Sequence, residues 1–270
     1  MSNPLSKPEP WSLVASGYQT DTMPAFGQFC KKAIELADVE PGSEALDVAC
    51  GPGTLSLILQ EKVARVHSID FSPEMIHLFN ATLVEKNIQN IKTKIMDGQK
   101  LDFENEQFDR TFSMFGLMFF PDREKGFSEM YRVLKPGGRA VVSSWAPVEE
   151  SPLMKLLYGA MSAAFPEKAE AKSNLLSLEN PNQFKKEMSA AGFHEVNITE
   201  FSGYWKITDP EEFLDSMIRG SVPIVMLKNQ LDSTVWDEKY KIMLNYLKSN
   251  LTNLPQSLPS KSYIAVGTKY

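Results

Sequence analysis

A chain of 270 residues with 43% hydrophobic and 23% charged residues is long enough to bury a substantial core and too apolar for a disordered polymer. Its formal charge of -6 argues against a protein that spreads along a phosphate backbone, which needs a concentrated basic surface. No uninterrupted apolar run reaches the length of a membrane span, and the opening MSNPLSKPEPW carries no apolar leader segment, so a cytoplasmic location is expected. Two cysteines, Cys30 and Cys50, cannot make a multi-disulfide framework, and three scattered histidines at 67, 77 and 194 do not form a metal motif, so no metal is expected.

After a proline-rich lead, Phe26, Phe29, Ala33, Ile34 and Ala37 fall at helical spacing, and Pro41-Gly42 ends the segment. Ala45 to Ala49 is then a short apolar strand, followed by the turn Cys50-Gly51-Pro52-Gly53 and a helix through Leu55, Leu57, Ile58 and Leu59. The unit repeats. Val63 to Ile69 is a second strand closed by Asp70, and Ser72-Pro73-Glu74 opens a helix with an apolar face of Ile76, Phe79, Leu83 and Val84. Ile91 to Ile95, Phe108 to Phe112 and Arg139 to Ser144 supply further strands, with a helix marked by Phe127, Met130, Tyr131 and Leu134 before the last of them. Val196 to Thr199 and Tyr263 to Val266 complete the strand set, while Leu153 to Phe165, Pro210 to Met217 and the Trp236 to Leu247 stripe read as helices. Strands alternating with helices are buried most economically in a parallel, doubly wound α/β sheet.

The turn after the first strand carries most of the chemistry. Gly51 and Gly53 allow close approach of a ligand, Asp47 can organise the loop or accept from a ligand amine, and the following helix presents free amides near its start. The dinucleotide pattern GxGxxG would place glycine where Ser56 stands, yet Asp70 lies nineteen residues beyond Gly51 and can hold ribose hydroxyls, so NAD stays open at this point. A phosphate-binding loop is disfavoured because its Gly-Lys-Ser/Thr ending is missing.

Four stretches in order, LDVACGPGTLS at 46 to 56, HSIDFSPEMI at 67 to 76, MDGQKLDFENEQFD at 96 to 109 and MYRVLKPGGR at 130 to 139, make the sequence resemble the class I S-adenosylmethionine-dependent methyltransferase family. Within it the likeness is to small-molecule enzymes of the ubiquinone and menaquinone C-methyltransferase type, and it covers nearly all the first 145 residues. The resemblance implies one Rossmann-like domain over 1–270, a doubly wound seven-stranded sheet with an antiparallel last strand, and S-adenosylmethionine bound outside the strand ends. The main cofactor-binding region would be 30–147, with helical substrate-cover insertions at 151–190 and 208–258. By the same resemblance, Ala49, Gly51 and Gly53 line the methionine portion with Asp47 in support, and Asp70 holds the ribose hydroxyls. Phe71 and Met75 flank adenine, Asp97 accepts from its amino group, Gly98 and Gln99 add backbone and edge contact, and Phe115 meets the sulfonium region. On the residues alone, a helix or turn cap is the lesser alternative for Asp70 and Asp97, and core packing the lesser alternative for Phe71 and Met75.

For the acceptor, the 115 to 120 segment is apolar, and Met118 and Phe119 stand where many relatives carry histidines. That departure removes a ready base and points to a partly apolar small molecule. Tyr18 on the amino-terminal cover, Met118, Trp145 after the fifth strand and Tyr204 are the candidate acceptor-positioning residues. No histidine is assigned as a base, and direct in-line transfer to an already nucleophilic atom needs none. A protein methyltransferase, an NAD-dependent oxidoreductase and a noncatalytic cofactor-binding regulator are the competing readings.

Overall fold

The alternation of apolar strands and amphipathic helices produces seven strands in one sheet: β1 (Glu44–Val48), β2 (Arg65–Asp70), β3 (Ile91–Ile95), β4 (Phe108–Met114), β5 (Leu134–Trp145), β6 (His194–Ile207) and β7 (Gln256–Thr268). The structure, a computed structural model, describes residues 3–168 and 178–270. Their order across the sheet is β3-β2-β1-β4-β5-β7-β6. The first five are parallel to one another, whereas β7 runs antiparallel to both β5 and β6. The doubly wound seven-stranded sheet with an antiparallel last strand is therefore as expected. It also differs from the all-parallel dinucleotide-binding order, which weakens the NAD reading.

Side chains alternate between the two faces along each strand, so each face needs its own layer of helices. On one face Ala45, Val66, Phe112, Val141 and Ile264 pack against α2 (Met23–Ala37), α3 (Thr54–Leu59) and α4 (Pro73–Glu85). On the other, Leu46, Val48, Ile69, Ala140 and Val142 meet α5 (Arg123–Val133) and α7 (Pro181–Ala190). Phe184 and Met188, four residues apart on α7, are both fully buried against this face of the sheet. Positions 169–177 of the 151–190 region lie outside the described residues.

A third apolar cluster sits beyond the strand ends. It joins α6 (Pro152–Ala164), α8 (Pro210–Gly220), α9 (Val222–Lys228) and α10 (Ser233–Asn250) with Ile207 at the tip of β6. The strands reach this cover because β6 and β7, at 14 and 13 residues, run far past the four-residue segments that periodicity had marked. The proline-rich lead is also helical: α1 (Pro8–Gly17) starts at a proline, whose fixed φ suits the first turn of a helix. A π-helical turn, Tyr18–Thr22, then links it to α2. Asp21 in that turn makes two hydrogen bonds with the Arg219 guanidinium, at 2.8 and 2.9 Å, tying the amino-terminal segment to α8. Among the described residues no helix is long and apolar enough to cross a membrane.

Candidate functional site

The carboxyl ends of β1, β2, β3 and β4 converge on a cleft, and the loop after β1 forms its centre. Cys50 N–H donates to the Ile69 carbonyl at 2.9 Å, and Gly51 N–H donates to Asp70 Oδ2 at 2.8 Å. Asp70 Oδ1 accepts from Ser72 N–H at 2.9 Å, and Ser72 Oγ caps α4 by accepting from Met75 N–H at 3.3 Å. One carboxylate thus fixes the loop after β1 and the entrance to α4. Burial pushes its pKa up to about 6.

Two non-glycine residues in this region adopt left-handed backbone, Ala49 at φ 57° and Phe115 at φ 57°, which such residues do only at a cost. They end β1 and β4 side by side. Phe115 N–H donates to Ser143 Oγ at 3.0 Å, and its ring stacks on Trp145 with centroids 4.1 Å apart. Asp97 Oδ1 accepts from Gln99 N–H at 2.9 Å, so it caps its own turn, and Gln99 Oε1 accepts from Asp122 N–H at 3.0 Å. Gly98 lies close under Phe120: a Cβ there would stand 2.5 Å from that ring.

Nine of the eleven cofactor candidates line this cleft of about 110 Å³: Ala49, Gly51, Asp70, Phe71, Met75, Asp97, Gly98, Gln99 and Phe115. The other two do not. Asp47 lies beneath the loop, 1% exposed, where Oδ2 accepts from Ser56 Oγ at 2.6 Å, and burial raises its pKa to about 7. It organises the loop from below. Gly53, at φ 94°, packs against the core ring of Phe79, and a Cβ there would meet that ring at 2.3 Å. Its place is between helix and sheet, not in the cleft wall.

Next to the cleft is a chamber of about 740 Å³, within the range of small-molecule sites. Leu5, Trp11, Tyr18, Phe115 and Phe119 line both spaces, so the two adjoin. Of the four acceptor candidates, Tyr18, Met118 and Trp145 line the chamber. Tyr204 does not: it is 56% exposed, and its strand neighbour Trp205 lines the chamber instead, because successive residues of β6 face opposite ways. Burial holds the Tyr18 hydroxyl above its ordinary range, so it stays protonated and able to donate. The thiols of Cys30 and Cys50 are buried and held protonated by the same cause.

The remaining walls were not assigned from sequence. Phe26 on α2, Met154, Leu157 and Met161 on α6, Met217 on α8 and Met226 on α9 all face the chamber. The helical stripes carried the signal, since an apolar face must cover something, but periodicity does not say whether that is protein or ligand. None of the described residues lining the chamber is Asp, Glu, Lys, Arg or His. All three histidines stand elsewhere; His67 lies on β2 against Phe103 and Phe108, with burial lowering its pKa.

Comparison with known proteins agrees with this geometry. Residues 45–138 match a family described as "Methyltransferase domain". An uncharacterized protein of Mycobacterium bovis is 34% identical over 112 residues, 42% of this chain and 40% of that protein, so the match spans well under half of that relative's length. A demethylmenaquinone methyltransferase of Thermus thermophilus is 30% identical over 176 residues, covering 60% of this chain and 80% of its own. The crystal structure of the YcgJ protein from Bacillus subtilis superimposes with a TM-score of 0.60 at 18% identity, covering 90% of this chain and 98% of that one. A likeness at that identity speaks for the fold alone. Taken with the strand order and the cleft at the strand ends, the match across most of the Thermus protein means that the chain belongs to the class I S-adenosylmethionine-dependent methyltransferase family.

Proposed function

We propose that the protein transfers a methyl group from S-adenosylmethionine to an uncharged, largely apolar small molecule held in the chamber. The observation that carries this reading is the junction. A cleft bearing nine of the expected cofactor residues opens onto a 740 Å³ chamber with no charged residue on its described walls.

The residues of the cleft fit the cofactor. Asp70 keeps lone pairs free beyond its backbone donors, Gly51 and Ser72 among them, and suits a pair of ribose hydroxyls. Gly51, at φ 55°, leaves open space where a side chain would stand, its nearest neighbour being Tyr18 at 4.0 Å, and so admits the methionine portion. Phe71 and Met75 offer apolar surface for a flat base, and Asp97 beside Gly98 an acceptor for its amino group. Bound S-adenosylmethionine would supply an activated methyl: the carbon–sulfur bonding pair would return to sulfur, the acceptor atom's pair would form the new bond, and the acceptor's proton would leave to solvent, since no Asp, Glu or His lines the described walls of the chamber.

The chain's own contribution is position and exclusion of water. Phe115 and Trp145, stacked at 4.1 Å, form one wall at the junction, and Phe26 meets both edge-on, with centroids at 5.0 and 5.5 Å. Such a wall holds an acceptor in line and keeps water from the methyl. Tyr18 faces both spaces and can donate to a polar atom at the meeting point. The apolar walls favour a small molecule over a peptide, whose backbone groups would find few partners there.

Met118 tests the acceptor assignment. It is 1% exposed, and its Sδ accepts from Ser144 Oγ at 3.4 Å. Met118→Gln places an unpaired amide on an apolar wall, so kcat/KM for a methylated acceptor is expected to fall roughly tenfold or more while cofactor affinity stays close to wild type. Equal acceptor efficiencies, or a loss matched by weaker cofactor binding, would remove Met118 from the acceptor site.

A further inference from the structure

Among the described residues that line the chamber, one fully buried side-chain polar atom makes no hydrogen bond. Ser260 lies on β7 opposite Gly203 of β6, is 0% exposed and lines the chamber, yet its Oγ makes no hydrogen bond. Nearby buried serines are paired. Ser262 Oγ donates to the Phe201 carbonyl at 3.2 Å, Ser151 Oγ accepts from Lys261 N–H at 2.9 Å, and Ser144 Oγ accepts from Leu178 N–H at 2.9 Å. The unpaired state of Ser260 is therefore not a general habit of this part of the fold. His67 Nε2 and Thr111 Oγ1 also make no hydrogen bond among the described residues, but neither residue lines the chamber.

A buried hydroxyl without a partner costs free energy comparable with the hydrogen bond it forgoes, and the site favours whatever brings an acceptor to it. Serine has three staggered χ1 wells, so its hydroxyl can turn without movement of the strand, and because Ser260 is 0% exposed a ligand oxygen reaches it as a neighbouring wall side chain shifts aside. The partner must also be neutral. With no charged side chain on the described walls, a ligand carboxylate or ammonium would be buried without a counter-ion.

We propose that Ser260 is the polar anchor of the acceptor site, donating its hydroxyl hydrogen to a neutral oxygen, such as a carbonyl, on an otherwise apolar molecule. This rests on the chamber being the acceptor site. Ser260 then selects between molecules of one shape: an acceptor with the carbonyl satisfies the hydroxyl, and the hydrocarbon analogue leaves it unpaired.

The test uses two near-isosteric uncharged probes, 2-acetylnaphthalene and 2-ethylnaphthalene, which differ by a carbonyl in place of a methylene. Their affinities for the wild-type protein and for S260A are compared by equilibrium dialysis, beside thermal unfolding and S-adenosylmethionine titration of both proteins. The preference for the ketone is expected to be about fivefold greater in the wild type than in S260A, since one neutral hydrogen bond is at stake. Without ligand, S260A should unfold at the same temperature or higher, because the substitution deletes an unpaired buried donor. The same ketone preference in both proteins would overturn the proposal, as would failure of the wild type to bind either probe. A lower unfolding temperature in S260A would also overturn it, by giving the hydroxyl to the fold. The cofactor titration separates the two readings: absent S-adenosylmethionine binding defeats the methyltransferase assignment, while a Ser260-dependent ketone preference would still identify the anchor.

Discussion

Replacing Asp70 by alanine is expected to weaken S-adenosylmethionine binding roughly 100-fold or more, or about 3 kcal/mol, because a hydrogen bond to a charged group contributes about 1.5 to 3 kcal/mol and two hydroxyls lose theirs. The same change releases Gly51 N–H and Ser72 N–H, so part of the loss comes through the loop after β1 and the cap of α4. Asp70→Asn separates these effects, since its amide oxygen can keep one backbone bond while its charge is gone. pH provides a second handle. Burial pushes the Asp70 carboxyl up to about 6, so the carboxylate that accepts from ribose is depleted, and affinity falls, as the pH drops through about 6.

The contribution of Asp70 to folding has the opposite sign. A carboxyl whose folded value is raised stabilises the fold most when protonated, so its contribution is full below the ordinary value of 3.8 and is lost as the pH rises through about 6. D70N should abolish both slopes and leave that of Asp47, nearer 7. Calorimetric titration of the folded proteins between pH 5 and pH 8, as an approximate working window around that raised carboxyl, checks the affinity. Unchanged binding by D70N across that window would remove Asp70 from the cofactor site.

The second large effect is on stability. Gly53→Ala is expected to destabilise the fold by about 2 to 5 kcal/mol, combining left-handed backbone strain with overpacking of a buried ring. At φ 94° the new Cβ would stand 2.3 Å from Phe79, itself fully buried between α4 and the sheet. Gly51→Ala should act differently. Its Cβ would enter open space in the cleft, so the cost falls mainly on cofactor affinity, with only a modest loss of stability from φ 55°. Urea unfolding and cofactor titration of both variants decide the matter. A G53A protein of wild-type stability, or one that keeps its stability but loses cofactor, would contradict the packing role.

This pair of glycines illustrates how far the sequence could be read. Both sit in one loop motif, and the motif places the loop at a strand end, but it does not say which glycine faces ligand and which faces core. Asp47 and Asp70 present the same difficulty, since both are acids in the last two positions of an apolar strand. Only the register of β1 against β2 puts one beneath the loop and the other at its rim. The sheet itself was legible because period-2 and period-3.6 patterns alternate clearly over residues 26–145.

Beyond that point local pattern carried less. The extensions of β6 and β7 are half-exposed strands whose pairing with each other stabilises them, and a four-residue window cannot register it. Tyr204 and Trp205 were indistinguishable as aromatics following a strand; the strand continues through them, and its alternation sends Trp205 inward. Ser260 carried no signal at all. A serine in a polar stretch reads as surface, and its meaning comes only from the partner it lacks.

The most direct test is to incubate the purified protein with S-adenosylmethionine carrying a trideuterated methyl group. A set of neutral apolar phenols, quinols and ketones would be supplied with polar carboxylates, amines and peptides alongside, and each product identified by mass. The labelled methyl is expected on one or more neutral apolar molecules and on none of the peptides. Labelling confined to peptides or charged metabolites, or firm cofactor binding with no labelled product from any class, would contradict that expectation.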